Sequence, residues 1–388
     1  MISRREFFGK SALGLLALSG VGEVKSIAWG SLNKEDQWSL FQRFPALSEG
    51  LPRIPLAKLP TPIHRMKNLE RSLNGGELWV KRDDSSSPDY GGNKPRKLEL
   101  ILARAKEGGA QTLITFGGLG TNHGLATAIF GKKLGFKVIL VLTPQPVNDF
   151  VIRNLFLMKQ FGAEIFPTKG PLYAALKTVR TLLRGNRHFM IPPGGSSALG
   201  TLGFVNAAFE LKNQISSGET PEPDYIFLPL GSCGTATGLA LGLKMAGLSS
   251  RVIAVRVYDR IASNYLTMRT LAKRTMALLM KIHPDIPPAR LSANDFSIVH
   301  DFFGDGYGAP TKEGEQAMKM ANELEGLKLD PTYSGKAMAG FIDFVKKGNA
   351  RGKRLLFWNT YNSITMDKFL QGRTIEQMAG AIGGIALY

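Results

Sequence analysis

Three short segments bring together residue types able to hold an anion and to run covalent chemistry. Gly117-Gly118-Leu119-Gly120-Thr121-Asn122-His123-Gly124 lies between a β-branched run and a helical pattern. Gly231-Ser232-Cys233-Gly234-Thr235-Ala236-Thr237-Gly238 repeats that arrangement with small residues throughout. At strand-to-helix turns of this kind, free backbone amides and the helix dipole favour a phosphate or a carboxylate. Neither is a Walker loop, since no Gly-Lys-Ser/Thr follows, nor a dinucleotide fingerprint with an acidic residue ~20 positions on. The third segment, Gly91-Gly92-Asn93-Lys94-Pro95-Arg96-Lys97-Leu98-Glu99, opens a helix with Lys94 just before Pro95. A lysine at a helix start beside the cations Arg96 and Lys97 has its ammonium form disfavoured, which suits a nucleophile or a base. Taken one at a time, the same segments also fit structural glycine turns and solvated lysines.

The elements that would position these residues alternate along the chain. After a proline-dotted stretch from Gly30 to Pro62, strands are predicted at Glu77 to Asp84, Thr112 to Phe116, Lys137 to Thr143, Tyr225 to Leu230, Arg251 to Val257 and Arg354 to Thr360. Helices are predicted at Gly124 to Leu134, Thr235 to Ala246, Ser263 to Ile282, Lys312 to Glu325 and Gly335 to Lys347. This is the pattern of an α/β protein with open, mostly parallel sheets covered by helices. Ligands of such sheets sit beyond the carboxyl ends of strands, so the loops after Phe116, Leu230 and Thr360 are the places for a site.

Composition narrows the function classes. The chain has 388 residues, 44% of them hydrophobic, and 44 glycines without a collagen-like period, so it can bury a large core and carries many tight turns. Its net charge of +18 is spread along the sequence, and the dense run Lys346, Lys347, Arg351, Lys353, Arg354 has no interleaved aromatic platform, which argues against nucleic acid as a partner. One cysteine, Cys233, excludes an intrachain disulfide framework, and the five histidines show no metal-ligand spacing, so no metal is expected. Ser3-Arg4-Arg5-Glu6-Phe7-Phe8-Gly9-Lys10, followed by an uncharged stretch from Ser11 to Gly22, resembles a twin-arginine export signal. That apolar stretch is shorter than the ~20 residues a bilayer span needs, so no stable membrane span is expected. The twin-arginine export machinery is therefore an expected partner and the periplasm the expected location, and that pathway carries folded proteins, commonly with a cofactor inside.

Taken together, Leu59-Pro60-Thr61-Pro62-Ile63, Lys81-Arg82-Asp83-Asp84, the Lys94 segment and the Gly-Gly-x-x-Thr-Asn-His loop resemble the aminocyclopropane-carboxylate deaminase and D-cysteine desulfhydrase family. The resemblance continues through Pro193-Gly194-Gly195-Ser196-Ser197-Ala198-Leu199-Gly200, the Cys233 loop, Gly306-Tyr307-Gly308 and Asp330-Pro331-Thr332-Tyr333-Ser334-Gly335-Lys336-Ala337, and covers roughly residues 50 to 365. These are pyridoxal-phosphate enzymes of the tryptophan-synthase-β-like fold, fold type II. The resemblance implies pyridoxal 5'-phosphate as cofactor, a small-molecule amino-acid substrate and a homodimer. With the twin-arginine pattern giving an export segment and linker at 1–29, which most members of the family lack, the expected division is a large cofactor domain from 30–96 plus 206–388 and a small domain at 97–205.

By the same resemblance Lys94 is the Schiff-base lysine and the base at the substrate α-carbon, and Lys97 with Cys233, Gly234 and Thr235 holds the phosphate. Asn122 meets the cofactor's phenolic oxygen; Thr121, Asn122 and His123 receive the substrate carboxylate. Tyr333 stacks on the pyridine ring, and Tyr307 lines the substrate pocket. Deaminases of the family resemble one another in having Glu and Leu where this chain has Ser334 and Thr360; desulfhydrase-like members have Ser or Thr at both. A hydroxyl near the ring nitrogen makes a weaker electron sink than a carboxylate, which suits β-elimination from a D-amino acid such as D-cysteine, giving pyruvate, ammonia and hydrogen sulfide. Aminocyclopropane-carboxylate deaminase, an amino-acid racemase and a non-catalytic periplasmic amino-acid binder stand as alternatives. The chain departs from the family in having Thr121 for Ser, and Tyr361-Asn362 where the final strand normally runs into Gly-Gly. Loss of those glycines predicts a lost close backbone approach and a different substrate.

Overall fold

The computed structural model describes residues 38–185, 187–383 and 385; the twin-arginine stretch lies outside the described residues. Among the described residues, ten strands form two sheets. β1 (Ile63–Arg65), β2 (Glu77–Lys81), β7 (Tyr225–Leu230), β8 (Arg251–Arg256), β9 (Phe296–Val299) and β10 (Arg354–Trp358) make a six-stranded sheet in the order β1-β2-β10-β7-β8-β9. It is parallel except for the edge pair of β1 and β2. β3 (Thr112–Gly118), β4 (Lys137–Thr143), β5 (Glu164–Pro167) and β6 (His188–Met190) make a parallel four-stranded sheet in the order β5-β4-β3-β6. The near-continuous apolar runs of β4 and β7 are buried along most of their length, as parallel strands covered on both faces require. β10 stops at Trp358, two residues short of the predicted end; Asn359 N still donates to Lys81 O of β2, and Thr360 O accepts from Asn93 N of the Lys94 segment.

Helices fix where the loops point. The helix Ala198–Ser216 packs on both the helix Lys94–Glu107 and the helix Gly234–Met245. A Cβ on Gly238 would sit 2.5 Å from Phe204 Cβ, so the small residues of that segment let the two helices approach closely. Both expected domain boundaries, at 96/97 and 205/206, fall within continuous helices.

Beneath the start of the helix Lys94–Glu107 lies a buried charged cluster. Arg96 meets Asp83 at 2.7 Å and Glu210 at 2.8 Å, and Lys81 meets Glu210 at 2.6 Å. Two cations and two carboxylates balance there, which a buried charge needs. Arg96 is thus turned away from Lys94 and into this cluster, fixing the helix start against β2 and the helix Ala198–Ser216.

Candidate active site

The loop after β7 forms one end of the site. Cys233 adopts a left-handed conformation (φ 67°) and leads into the helix Gly234–Met245 without a side-chain cap. Around that helix start, Ser196 Oγ lies 2.8 Å from Ser232 Oγ and accepts from Gly234 N at 3.1 Å. Lys97 Nζ donates to Gly194 O at 3.1 Å and Ser196 Oγ at 3.3 Å, and Asn93 Nδ2 donates to Thr235 Oγ1 at 3.0 Å. Lys97 is buried yet faces no carboxylate; burial first, and the Lys94 charge second, hold its pKa well below the usual lysine range. A buried lysine amine beside uncapped helix amides, with only neutral oxygens within hydrogen-bond reach, is suited to hold an anion. A Cβ on Gly234 would fall 2.9 Å from Lys97 Nζ, so the cradle leaves room for a ligand only because that residue has no side chain.

Lys94 is the first residue of its helix, with Pro95 behind it in a position proline favours. Its Nζ makes no hydrogen bond among the described residues. Lys94 keeps some accessible area, yet enough protein surrounds it that desolvation lowers its pKa to about 8 against the pull of Asp330. Burial, rather than the neighbouring cations invoked from sequence, is the dominant cause.

The loop after β3 forms the opposite wall. Thr121 caps the helix Asn122–Lys133, its hydroxyl accepting from Gly124 N at 3.2 Å. This leaves the backbone amides of Asn122 and His123 without partners among the described residues, aligned as a helix N-terminus that can take a carboxylate. Asn122 Oδ1 accepts from Tyr90 OH at 3.3 Å and Asn154 Nδ2 at 3.2 Å, while its Nδ2 donates to Asp330 Oδ2 at 3.4 Å. His123 contributes through its backbone rather than its ring. The Thr115 hydroxyl gives its proton to Ile191 O at 2.8 Å, so at 3.1 Å from His123 Nε2 it can only accept, and Nε2 carries the ring hydrogen. Nδ1 is then a bare acceptor, buried and unpartnered. Burial, with Lys94 and Lys97 adding to it, holds the ring pKa well below its usual value, so the side chain is neutral and cannot donate to a carboxylate. Only the His123 amide can.

Tyr333 lies over the Cys233 loop, where a Cβ on Gly231 would come within 3.2 Å of its ring. Its hydroxyl meets Tyr307 OH at 2.5 Å, and Tyr307 packs edge-on against Tyr258 at 5.0 Å. Burial pushes both the Tyr307 and Tyr333 phenols up, so each stays protonated through the neutral range. Ser334 departs from expectation. Its hydroxyl accepts from Asp330 N at 2.7 Å and donates to Asp330 Oδ1 at 2.5 Å, so its proton is held by that carboxylate at the start of the helix Ser334–Lys346. The Thr360 hydroxyl makes no hydrogen bond among the described residues and stays available. Cys233, with burial pushing its thiol up to about 12, is a small buried residue of the loop.

Sequence reasoning missed several contributors. Asp330 takes hydrogen bonds from Tyr333 N, Ser334 N, Ser334 Oγ and Asn122 Nδ2, linking both walls of the site. Ser196 and Gly194 complete the anion cradle, and Gln145 accepts from Gly120 N at 3.1 Å behind the β3 loop. Asp330, Ser196 and Gly194 stood inside quoted motifs, but their roles depend on contacts with residues far away in the chain.

Comparison with known proteins decides what anion and what lysine chemistry these are. Residues 54–360 match the family described as pyridoxal-phosphate dependent enzyme. The chain belongs to that family. Relatives of this pyridoxal-phosphate enzyme include the D-cysteine desulfhydrases of Klebsiella pneumoniae (strain 342) and Salmonella choleraesuis (strain SC-B67). Each is 35% identical, over 76% of this chain and 88% and 89% of theirs. A solved structure of an ACC deaminase homologue is 30% identical and covers 84% of this chain and 98% of its own, with a TM-score of 0.70. The fold is that of these type II enzymes, the cofactor is pyridoxal phosphate and the chemistry is that of a lyase. The residues present fit the group: a buried lysine amine among neutral oxygens for the phosphate, a half-buried tyrosine ring beside that loop, and a half-buried amine without a hydrogen bond among the described residues. Among the described residues no cluster of three or more His, Cys, Asp or Glu could hold a metal ion, and no helix is long and apolar enough to cross a membrane.

Proposed function

We propose that this lyase eliminates the β-substituent of a D-amino acid, with D-cysteine as the reference substrate. D-cysteine and water would give pyruvate, ammonia and hydrogen sulfide. The observation that carries the reading is Lys94: a half-buried amine with a pKa of about 8, without a hydrogen bond among the described residues, near an anion cradle and two helix-start amides that likewise have no partner there. Lys97, Ser196, Gly194 and the start of the helix Gly234–Met245 would hold the phosphate, and Tyr333 the face of the ring. Bound pyridoxal phosphate supplies an aldehyde for covalent attachment and a ring that draws electron density from the substrate α-carbon. The amides of Asn122 and His123 would orient the substrate carboxylate. Lys94, largely unprotonated above its pKa, would take the α-proton at Nζ. The phenols of Tyr307 and Tyr333, protonated and hydrogen-bonded to each other, would close the pocket and keep water out.

The preference for elimination over cyclopropane opening rests on the ring-nitrogen side. The Ser334 hydroxyl and the Asp330 carboxylate are saturated by each other and by backbone, leaving the Thr360 hydroxyl as the group available there. The 35% identity to D-cysteine desulfhydrases supports the same choice. This reading also includes export by the twin-arginine machinery to the periplasm, a homodimer, and a larger part (30–96 with 206–388) and a smaller part (97–205) meeting at the site.

The test is a panel of D-cysteine, L-cysteine, D-alanine and aminocyclopropane carboxylate, scored for sulfide, keto acid and loss of optical activity. Sulfide and pyruvate from D-cysteine in equal amounts are expected. Ammonia from aminocyclopropane carboxylate alone, or racemisation of alanine without keto acid, would replace the reading.

A further inference from the structure

The pair Tyr361-Asn362 follows the end of β10, and the two side chains do different things. Asn362 Oδ1 accepts from Gly91 N at 2.7 Å and from Ile364 N at 3.1 Å, so it pins the segment leading to Lys94. The close backbone approach lost at 361–362 is made from the other side: a Cβ on Gly92 (φ 87°) would fall 2.7 Å from Thr360 O and 3.1 Å from Tyr361 O. Asn93 N donates to Thr360 O at 3.1 Å.

With its backbone held there, Tyr361 reaches across to the other sheet's side of the site. Its ring lies 6.1 Å from that of Phe150, on the helix Asp149–Gln160. Asn154 of that helix donates to Gly120 O at 2.8 Å and to Asn122 Oδ1. Tyr361 thus links the segment that leads to Lys94 with the helix that supports the Asn122 loop. Its phenol makes no hydrogen bond among the described residues. It is close enough to Tyr90 and Asp330 to be felt electrostatically by both, with Arg153 on its outer side. The backbone of Tyr361 is fixed by the close approach of Gly92 and its ring by Phe150, so the half-buried side chain holds one place beside the segment that leads to Lys94.

We propose that Tyr361 sets the size of the β-substituent the site accepts, its ring walling off the space that a smaller residue would open, so that the enzyme selects compact D-amino acids over bulky ones. The proposal rests on the D-amino-acid elimination reading above. Its test compares D-cysteine with S-benzyl-D-cysteine in wild type, Tyr361→Ala and Tyr361→Phe, using holoenzyme. Two readouts are taken for each: kcat/KM for elimination, and the binding constant from the change in cofactor absorbance with D-alanine and D-phenylalanine. Tyr361→Ala should raise the bulky-to-small ratio in both readouts by about tenfold or more, the scale of one pocket-filling group, while Tyr361→Phe keeps the ratio of wild type within a few-fold. Ratios unchanged in Tyr361→Ala would overturn the proposal even if wild type eliminates sulfide from D-cysteine. If wild type binds these amino acids without eliminating, the elimination reading fails and the binding ratios still decide the role of Tyr361. If Tyr361→Ala does not fold, Tyr361→Leu takes its place with the same expected direction. Absence of amino-acid binding by wild type overturns both.

Discussion

Lys94 gives the account its most quantitative consequence. With a pKa of about 8 instead of the ordinary 10.5, the amine is unprotonated in about one molecule in ten at pH 7, half at pH 8 and nine in ten at pH 9. A solvated lysine would hold about one unprotonated amine in three thousand at pH 7, so the site enjoys an advantage in reactive amine of about 300-fold. The perturbation is pH, applied to apoenzyme mixed with pyridoxal phosphate, with Nα-acetyl-lysine and the Lys94→Ala protein as references. The assay is the rate at which the visible absorption band grows between pH 6 and 10. That rate should climb about tenfold per pH unit up to pH 7.5 and flatten above pH 8.5, and Lys94→Ala should show no specific phase. The same depression has a stability sign: between about 8 and 10.5 the unfolded chain binds a proton that folded Lys94 has shed, so this group makes the apoenzyme more stable as pH rises across that window. A capture rate still rising tenfold per unit at pH 10, like that of acetyl-lysine, would refute the claim that burial activates Lys94.

Other consequences concern the groups around it. Lys97→Met should weaken pyridoxal phosphate binding by roughly ten- to a hundredfold, the worth of a charge-assisted bond, while pyridoxal without its phosphate binds as to wild type in equilibrium dialysis. Glu210→Ala should destabilise the fold by about 3–5 kcal/mol in urea titrations, since Lys81 would be left buried without a carboxylate and Arg96 with Asp83 alone. Because those partners hold the Glu210 carboxyl well below its usual range, its contribution is present above the ordinary carboxylate pKa and is lost as pH falls toward the depressed one. Cys233 should resist thiol reagents at pH 8 until the protein unfolds, and titration at the rate of a free thiol would contradict its burial.

How much of this was legible in the sequence differs element by element. The strands Lys137–Thr143 and Tyr225–Leu230 were readable to the residue because their β-branched and apolar runs end sharply at Gly or Pro. The helix Ala198–Ser216 was not, because it is buried nearly all round and so shows no amphipathic period. β5, β6 and β9 are three or four residues long, too short to carry a pattern. In the site, the glycine-rich turns and Lys94 were legible since their chemistry follows from local conformation. Asp330, the Arg96–Glu210 cluster and the tautomer of His123 were not, because each depends on partners brought together by the fold. Tyr361-Asn362 was legible as a departure, but its contacts were not, because they depend on Gly92 of the facing segment approaching Thr360 O and Tyr361 O.

The most direct test of the central claim is the absorbance spectrum of purified wild type and Lys94→Ala, each with pyridoxal phosphate, before and after borohydride. The account predicts a visible band in wild type that borohydride bleaches, with the label recovered on the peptide containing Lys94, and no such band in Lys94→Ala. A bleachable band that persists in Lys94→Ala, or a label on Lys97 or Lys336, would contradict it.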